Sequence, residues 1–453
     1  MTDTAAIAAG PQTPPSGGLA GRPLVSAEAG ERFIPVPTHA IMQLLWRAEV
    51  WQGTELESVR TFFRFLAAWR HLSYAERESA LIEAYHPFNP DRDTVLDQAL
   101  AAEDTGARKA DFIELVRALL ERANYDEIPQ DRLAEVVAEE NPYGLHLEAN
   151  LDEFEDLHVF VRGQSEQLAR PDLLTGKLLR RKALKLVEYQ RLLVVLKLKP
   201  LEQRAREIMR ADHISEKQAL RKARRNRRHL PHDSSHEFIY LKLFKNIPRT
   251  DLEMLFPTTQ VRLKQRDMAM LSATAGGGIG MGLVSVATKV VAAAMSPIGA
   301  GMAVAGLFGA AGQQYARLSQ ARTRYQIQIA RSLYFQNLAN NQGVLALLNE
   351  RGEEEDIKEE LLLYTLLARD SVTRSQLADA KTAIEVFLNK AFNVMVVFDI
   401  EDALERLLRD GIVSEQPDGT LATMDPATAA AHLEAKWSLY LTAIRAREAS
   451  AGA

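Results

Sequence analysis

Residues 237–247 read EFIYLKLFKNI, and between Tyr240 and Lys245 apolar and basic side chains interleave. That is the pattern of a half-buried antiparallel strand, with one set of side chains bound for a core and the other for solvent. Comparable short runs lie on either side: LHLEAN, LHVFVRG and YQRLLVVLKLK before it, TQVRLKQRD after it. Their β-branched and aromatic content places an antiparallel sheet domain at 141–267, with one apolar face and one unusually basic face. Between two of the strands, 202–235 forms a basic insertion that is helical or disordered.

At 453 residues the chain is long enough for two to four domains, each with its own core. A net charge of −5 conceals a strong asymmetry. Glu31–Phe160 holds 26 acids against 12 Lys and Arg, Lys177–Arg228 holds 18 Lys and Arg against 5 acids, and Arg351–Ala430 holds 17 acids against 8 bases. The chain has no cysteine, which excludes disulfides, thiolate-held zinc, iron–sulfur clusters and cysteine nucleophiles. Residues 1–30 are rich in Ala, Gly, Pro, Ser and Thr and read as a disordered tail, with neither a signal peptide nor a transit pattern.

Order is expected to begin at ERFIPVPTHAIMQLLW, where Pro35 and Pro37 extend the chain and Thr38 suits a helix N-cap. Phe62, Phe65, Leu66 and Trp69 then recur at i, i+3, i+4, i+7, so 31–140 reads as an acidic helical domain. Beyond the sheet, Met268–Thr288 and Val290–Ala316 are free of charge. Such lengths fit a transmembrane helical hairpin at 268–316, since about 20 apolar helical residues cross a bilayer. Gly278 and Gly282 on one span, and Gly301, Ala305 and Gly309 on the other, give small-residue packing faces. Arg262, Lys264 and Arg266 before, and Arg317 and Arg322 after, would keep both ends cytoplasmic. The glycine cluster is no phosphate loop, because no Lys-Ser/Thr pair closes it. Residues 317–350 then read as a stalk helix. Residues 351–453 read as three helices and a hairpin, the order of a winged-helix-like domain.

Several stretches together resemble one family: ERFIPVP, YHPFNPDRDT, YLKLFKNIPRTDLEMLFP, the Gly-rich segment, LYFQNLANNQGVL and FDIEDALERLLRDGIV. Over roughly Glu31–Trp437 the chain resembles the domain-of-unknown-function 3754 family, which includes a mitochondrial transmembrane protein of animals. The resemblance implies a two-span membrane protein and brings no activity, cofactor or catalytic residue. The insertion at 202–235 departs from the family pattern.

Other constellations are weaker. Asn89, Asp91 and Asp93 open like a calcium loop, but Thr94 and Leu100 stand where its glycine and closing glutamate belong. His229, His232 and His236 are dense enough to bind metal, yet lack a frame that would hold them together. The third C-terminal helix, Asp399–Asp410, is too acidic to read DNA, so nucleic acid is disfavoured and a protein partner or internal docking is expected there. The sharpest surface signal is Arg221, Lys222, Arg224, Arg225, Arg227 and Arg228, which lack interleaved aromatics for base stacking and suit anionic lipid headgroups.

Taken together, the sequence predicts an α+β membrane protein of the bacterial inner membrane, with two spans and both termini cytoplasmic. It would act as a non-enzymatic scaffold contacting anionic lipid, without cofactor or metal; a homo-oligomer through the Gly-rich hairpin stays open. The alternative is an enzyme acting on a lipid or a phosphate-bearing ligand at the basic sheet, through Lys242, Lys245, Arg262 and Lys264. A pocket lined by such residues and closed by a carboxylate favours that alternative, and an open basic surface favours docking.

Overall fold

The computed structural model describes residues 31–47, 50–51, 55–94, 105–137, 146–148, 150–169, 184–228, 230, 234–262 and 333–451. Its centre is a five-stranded antiparallel sheet. In spatial order the strands are β1 (Asp126–Glu127), β3 (Phe154–Ala169), β4 (Leu184–Leu198), β5 (Ile239–Pro248) and β7 (Asn337–Asn340). A small ladder beside it pairs β2 (His146–Glu148) with β6 (Gln260–Arg262).

Both faces of the sheet are covered. In β4 every residue from Leu192 to Leu196 is buried, as a continuous apolar run requires when helices or loops lie on each side. One face carries Phe160, Leu193, Val195, Leu241 and Leu243 against Tyr85, Phe112 and Leu345. The other carries Val159, Leu192 and Val194 against Leu252 and Phe256. The expected basic face is therefore absent as a face; Arg162, Arg191 and Lys245 instead form one row that crosses β3 and β4 near their middles.

Among the described residues the longer helices are α1 (Thr38–Leu45), α2 (Leu56–Tyr85), α3 (Thr105–Arg122), α4 (Gln130–Val137), α5 (Leu201–Asp212), α6 (Glu216–Asn226), α7 (Gln342–Arg369), α8 (Leu377–Phe392), α9 (Ile400–Asp410) and α10 (Pro426–Ala451). A short hairpin of β8 (Val413–Glu415) and β9 (Leu421–Thr423) follows α9. Helix α7 is the hub. From Glu355 to Thr365 every residue is buried, so this helix is surrounded on all sides. Residues of α1 and α2 share one core with α7, α8, α9 and α10. Where a stalk helix over 317–350 was expected, Asn337–Asn340 pairs with β5 as β7 and a new helix starts at Gln342.

The transmembrane expectation is corrected. Among the described residues no helix is long and apolar enough to cross a membrane. Helices α2 and α7 have the length, at about 45 and 42 Å for 1.5 Å per residue, but carry charges throughout. Two spans, and with them placement in an inner membrane with both termini cytoplasmic, are not supported. The stretch that suggested them, 268–316, lies outside the described residues.

Candidate functional site: a basic cleft on the sheet

Three cations stand side by side across three neighbouring strands. Arg162 on β3 is directly opposite Arg191 on β4, and Arg191 is directly opposite Lys245 on β5. Like charges facing each other across a ladder are destabilising. None of the three forms an ion pair with a carboxylate among the described residues. Such a row holds repulsion that a bound anion would relieve.

The next row is distorted in a way that opens the sheet. Gly163 and Asn246 have φ of 69° and 57°, and the ladder makes no pair at Gly163, Gln190 or Asn246 before resuming at Gln164–Tyr189–Ile247. Glycine takes this left-handed backbone freely, whereas asparagine does so under mild strain. Because alternation is interrupted here, the consecutive residues Gln190 and Arg191, and likewise Lys245 and Asn246, line the same cleft. Its volume is about 380 Å³.

The opposite wall is the segment Phe33–Pro37, which precedes α1. This strap is fastened at several points. The Glu31 N–H donates to Met395 O at 3.0 Å, and Val397 N–H donates to Glu31 O at 2.8 Å. Gln190 Nε2 donates to Glu31 Oε1 at 2.9 Å. A Cβ on Gly163 would stand 3.0 Å from Gln190 and 3.1 Å from Glu31 Oε2, so that contact needs the glycine. Lys358 Nζ donates to Ile34 O at 2.7 Å and pairs with Glu355 at 2.6 Å, while Glu355 accepts from Ile34 N–H.

Electrostatics follow from this geometry. Burial raises the Glu31 carboxyl above its ordinary range, with Arg162 and Gln190 opposing. Burial lowers the Arg191 guanidinium, and Arg162 and Arg351 lower it further, with Tyr125 opposing. The Arg162 guanidinium lies over Phe33 at 4.5 Å and Tyr125 at 5.1 Å, and its Nη1 donates to Ala123 O at 3.2 Å. Its Nε is buried without a hydrogen-bond partner. Arg351, on the first turns of α7, completes the cationic rim and pairs with Glu354 at 2.8 Å.

The residues singled out from sequence are dispersed. Lys245 is in the cleft. Lys242 is half-buried elsewhere on β5, its pKa lowered by burial with Asp91 opposing. Arg262 sits on β6, opposite His146. Lys264, Gly278, Gly282, Gly301, Ala305 and Gly309 lie outside the described residues, as do His229 and His232. His236 is exposed. Arg221, Arg224, Arg225 and Arg228 are exposed on and just after α6, and Lys222 pairs with Asp212. Arg227 is structural: with Arg204 it holds the fully buried carboxylate of Glu153, at 2.8 and 3.1 Å. Asn89 and Asp91 likewise serve structure: Asn89 Oδ1 accepts from Asp91 N–H, and Asp91 accepts from Asn341.

A second charged cluster is buried between α2, α7 and α9. Arg406 donates to Glu360 at 2.7 Å and Glu359 at 2.6 Å, and pairs with Asp356 at 3.1 Å and with Asp402. Asp356, Glu359 and Asp402 are close enough together to suit a metal ion. The Arg406 guanidinium already binds all three, so this is an ion-paired core rather than a cation cage.

Residues 154–343 match the family model described as Protein of unknown function (DUF3754). This match spans Arg162, Arg191 and Lys245 but neither the strap nor Arg351. No solved structure matches the chain.

Proposed function

We propose that the protein binds a small phosphate-bearing anion in the basic cleft. The observation that carries this reading is the cross-strand row Arg162–Arg191–Lys245, held without carboxylate partners in a walled cleft of about 380 Å³. A guanidinium offers a planar fork of donors matched to phosphate oxygens, and a site sheltered from water strengthens each contact. The volume suits a small molecule. Among the described residues lining the cleft, the carboxylates Glu354 and Glu355 are engaged by Arg351 and Lys358, which favours binding over catalysis. Calorimetric titration of orthophosphate into the full chain should show saturable binding that Arg191→Met abolishes. Equal binding by parent and variant, or none by the parent, contradicts the reading.

A second reading concerns the arm formed by α5 and α6. Lys217, Arg221, Arg224, Arg225 and Arg228 are exposed along it, at spacings that place them on adjacent helix faces. We propose that this surface contacts anionic lipid headgroups through charge alone. Vesicles rich in anionic lipid should retain the protein at low salt and release it as salt rises. Equal retention by neutral vesicles contradicts this.

A further inference from the structure

We infer that the cleft takes an organic diphosphate, a molecule carrying two linked phosphoryl groups, rather than a lone phosphate; this rests on the anion-binding reading above. Adjacent strands are about 4.8 Å apart, so the row from Arg162 to Lys245 extends about 10 Å between its outer backbones. With each side chain standing off its own strand, one phosphoryl group meets two neighbours in such a row, and reaches all three only if both outer side chains fold inward over Arg191. Arg191, in the middle, has a cation on each side. Two linked phosphoryl groups would therefore share Arg191, one lying toward Arg162 and the other toward Lys245.

Charge points the same way. Arg351 is already paired with Glu354, whereas the three row cations have no ion-pair partner among the described residues. A monophosphate brings about −1.5 to −2 at neutral pH, which leaves part of the row uncompensated. A second phosphoryl group completes the balance. The strap adds the organic requirement. Phe33, Pro35 and Pro37 keep apolar surface accessible on the strap, opposite the cations, while the Ile34 and Val36 side chains are buried in the core. Inorganic diphosphate alone would leave that wall facing water, while an uncharged organic portion would cover it.

The test is a calorimetric series on the full chain with four probes: orthophosphate, inorganic diphosphate, adenosine monophosphate and adenosine diphosphate. Each diphosphate should bind at least roughly tenfold tighter than its monophosphate counterpart, a difference of about 1.4 kcal/mol. Adenosine diphosphate should bind tighter than inorganic diphosphate. Lys245→Met should bring diphosphate affinity down to that of the monophosphate, while leaving monophosphate binding within about twofold. Monophosphates binding as tightly as diphosphates would overturn the inference and leave the anion site standing. Inorganic diphosphate binding without adenosine diphosphate would overturn its organic part. If none of the four binds, both the inference and the underlying reading fail.

Discussion

Single residues set both the cleft and the buried charge core, and each can be tested against a matched control. Gly163 and Gly419 both have left-handed backbone, with φ of 69° and 81°, but only Gly163 has neighbours where a Cβ would go. Gly419→Ala should cost about 1–2 kcal/mol from backbone strain alone. Gly163→Ala should cost more in urea denaturation and also weaken phosphate binding, because it displaces Gln190 from Glu31. Equal costs would show that the crowding is readily relaxed. In the charge core, Arg406→Met leaves several buried carboxylates without their cation and should cost about 3–5 kcal/mol. Burial pushes the Glu359 carboxyl well above its ordinary range, so Glu359→Gln should be tolerated far better. A pH effect belongs to Asp251, whose carboxyl burial raises from 3.8 to about 6, opposed by the Thr250 hydroxyl. The folded state holds this proton more tightly than the unfolded one, so its stabilisation is complete below pH 3.8 and is lost as pH rises through about 6. Asp251→Asn should therefore flatten the decline in urea midpoint between pH 4 and 7, and an unchanged slope would refute the assignment.

At the scale of elements, the arm separates cations that hold structure from cations that face solvent. Replacing Arg221, Arg224 and Arg225 by Ser should change stability by no more than about 0.5 kcal/mol, as exposed positions do. Arg227→Ser should be clearly destabilising, because it removes a partner of the fully buried Glu153. Thermal melts of the two variants distinguish these roles. The sequence run RKARRNRR showed charge but not which member turns inward, since that depends on Glu153 arriving from a distant turn. Helix α7 was legible only in part. Its acids Glu355, Asp356, Glu359 and Glu360 recur at i, i+1, i+4, i+5, which resembles a solvated face until Arg70 and Arg406 are known to meet it. Arg70 itself continues the stripe Phe63, Leu66, Tyr74 on α2, a cue that a charge lies on an apolar face. The antiparallel strands were legible because β4 and β5 carry dense β-branched and apolar runs. The continuous burial of Leu192–Leu196 shows why the expected basic face did not form.

Across the whole molecule, the strap explains why the cleft escaped sequence reasoning. It brings together residues from five separate segments: Phe33–Pro37, Arg162, Arg191, Lys245 and Arg351. Only Lys245 stood out in advance, because Arg162 and Arg191 each sit where an apolar run meets a polar one, in HVFVRGQSE and EYQRLLVV, and read as ordinary strand-edge charges. The same strap joins sheet, hub helix and C-terminal helices through Gln190, Glu355 and Val397. The transmembrane reading rested on charge-free length, small-residue faces and basic flanks around 268–316, whereas among the described residues no helix is long and apolar enough to cross a membrane. On the anion-binding proposal, the row Arg162–Arg191–Lys245 is kept for an anion at some cost to the unliganded fold. Removing the middle cation should then stabilise the unliganded protein while removing its response to ligand. The direct measurement is the thermal midpoint of the parent and Arg191→Met, in chloride and in phosphate at equal ionic strength. The prediction is that the variant melts higher than the parent in chloride, and that phosphate raises the midpoint of the parent alone. A variant that melts lower in chloride and responds to phosphate as the parent does would contradict it.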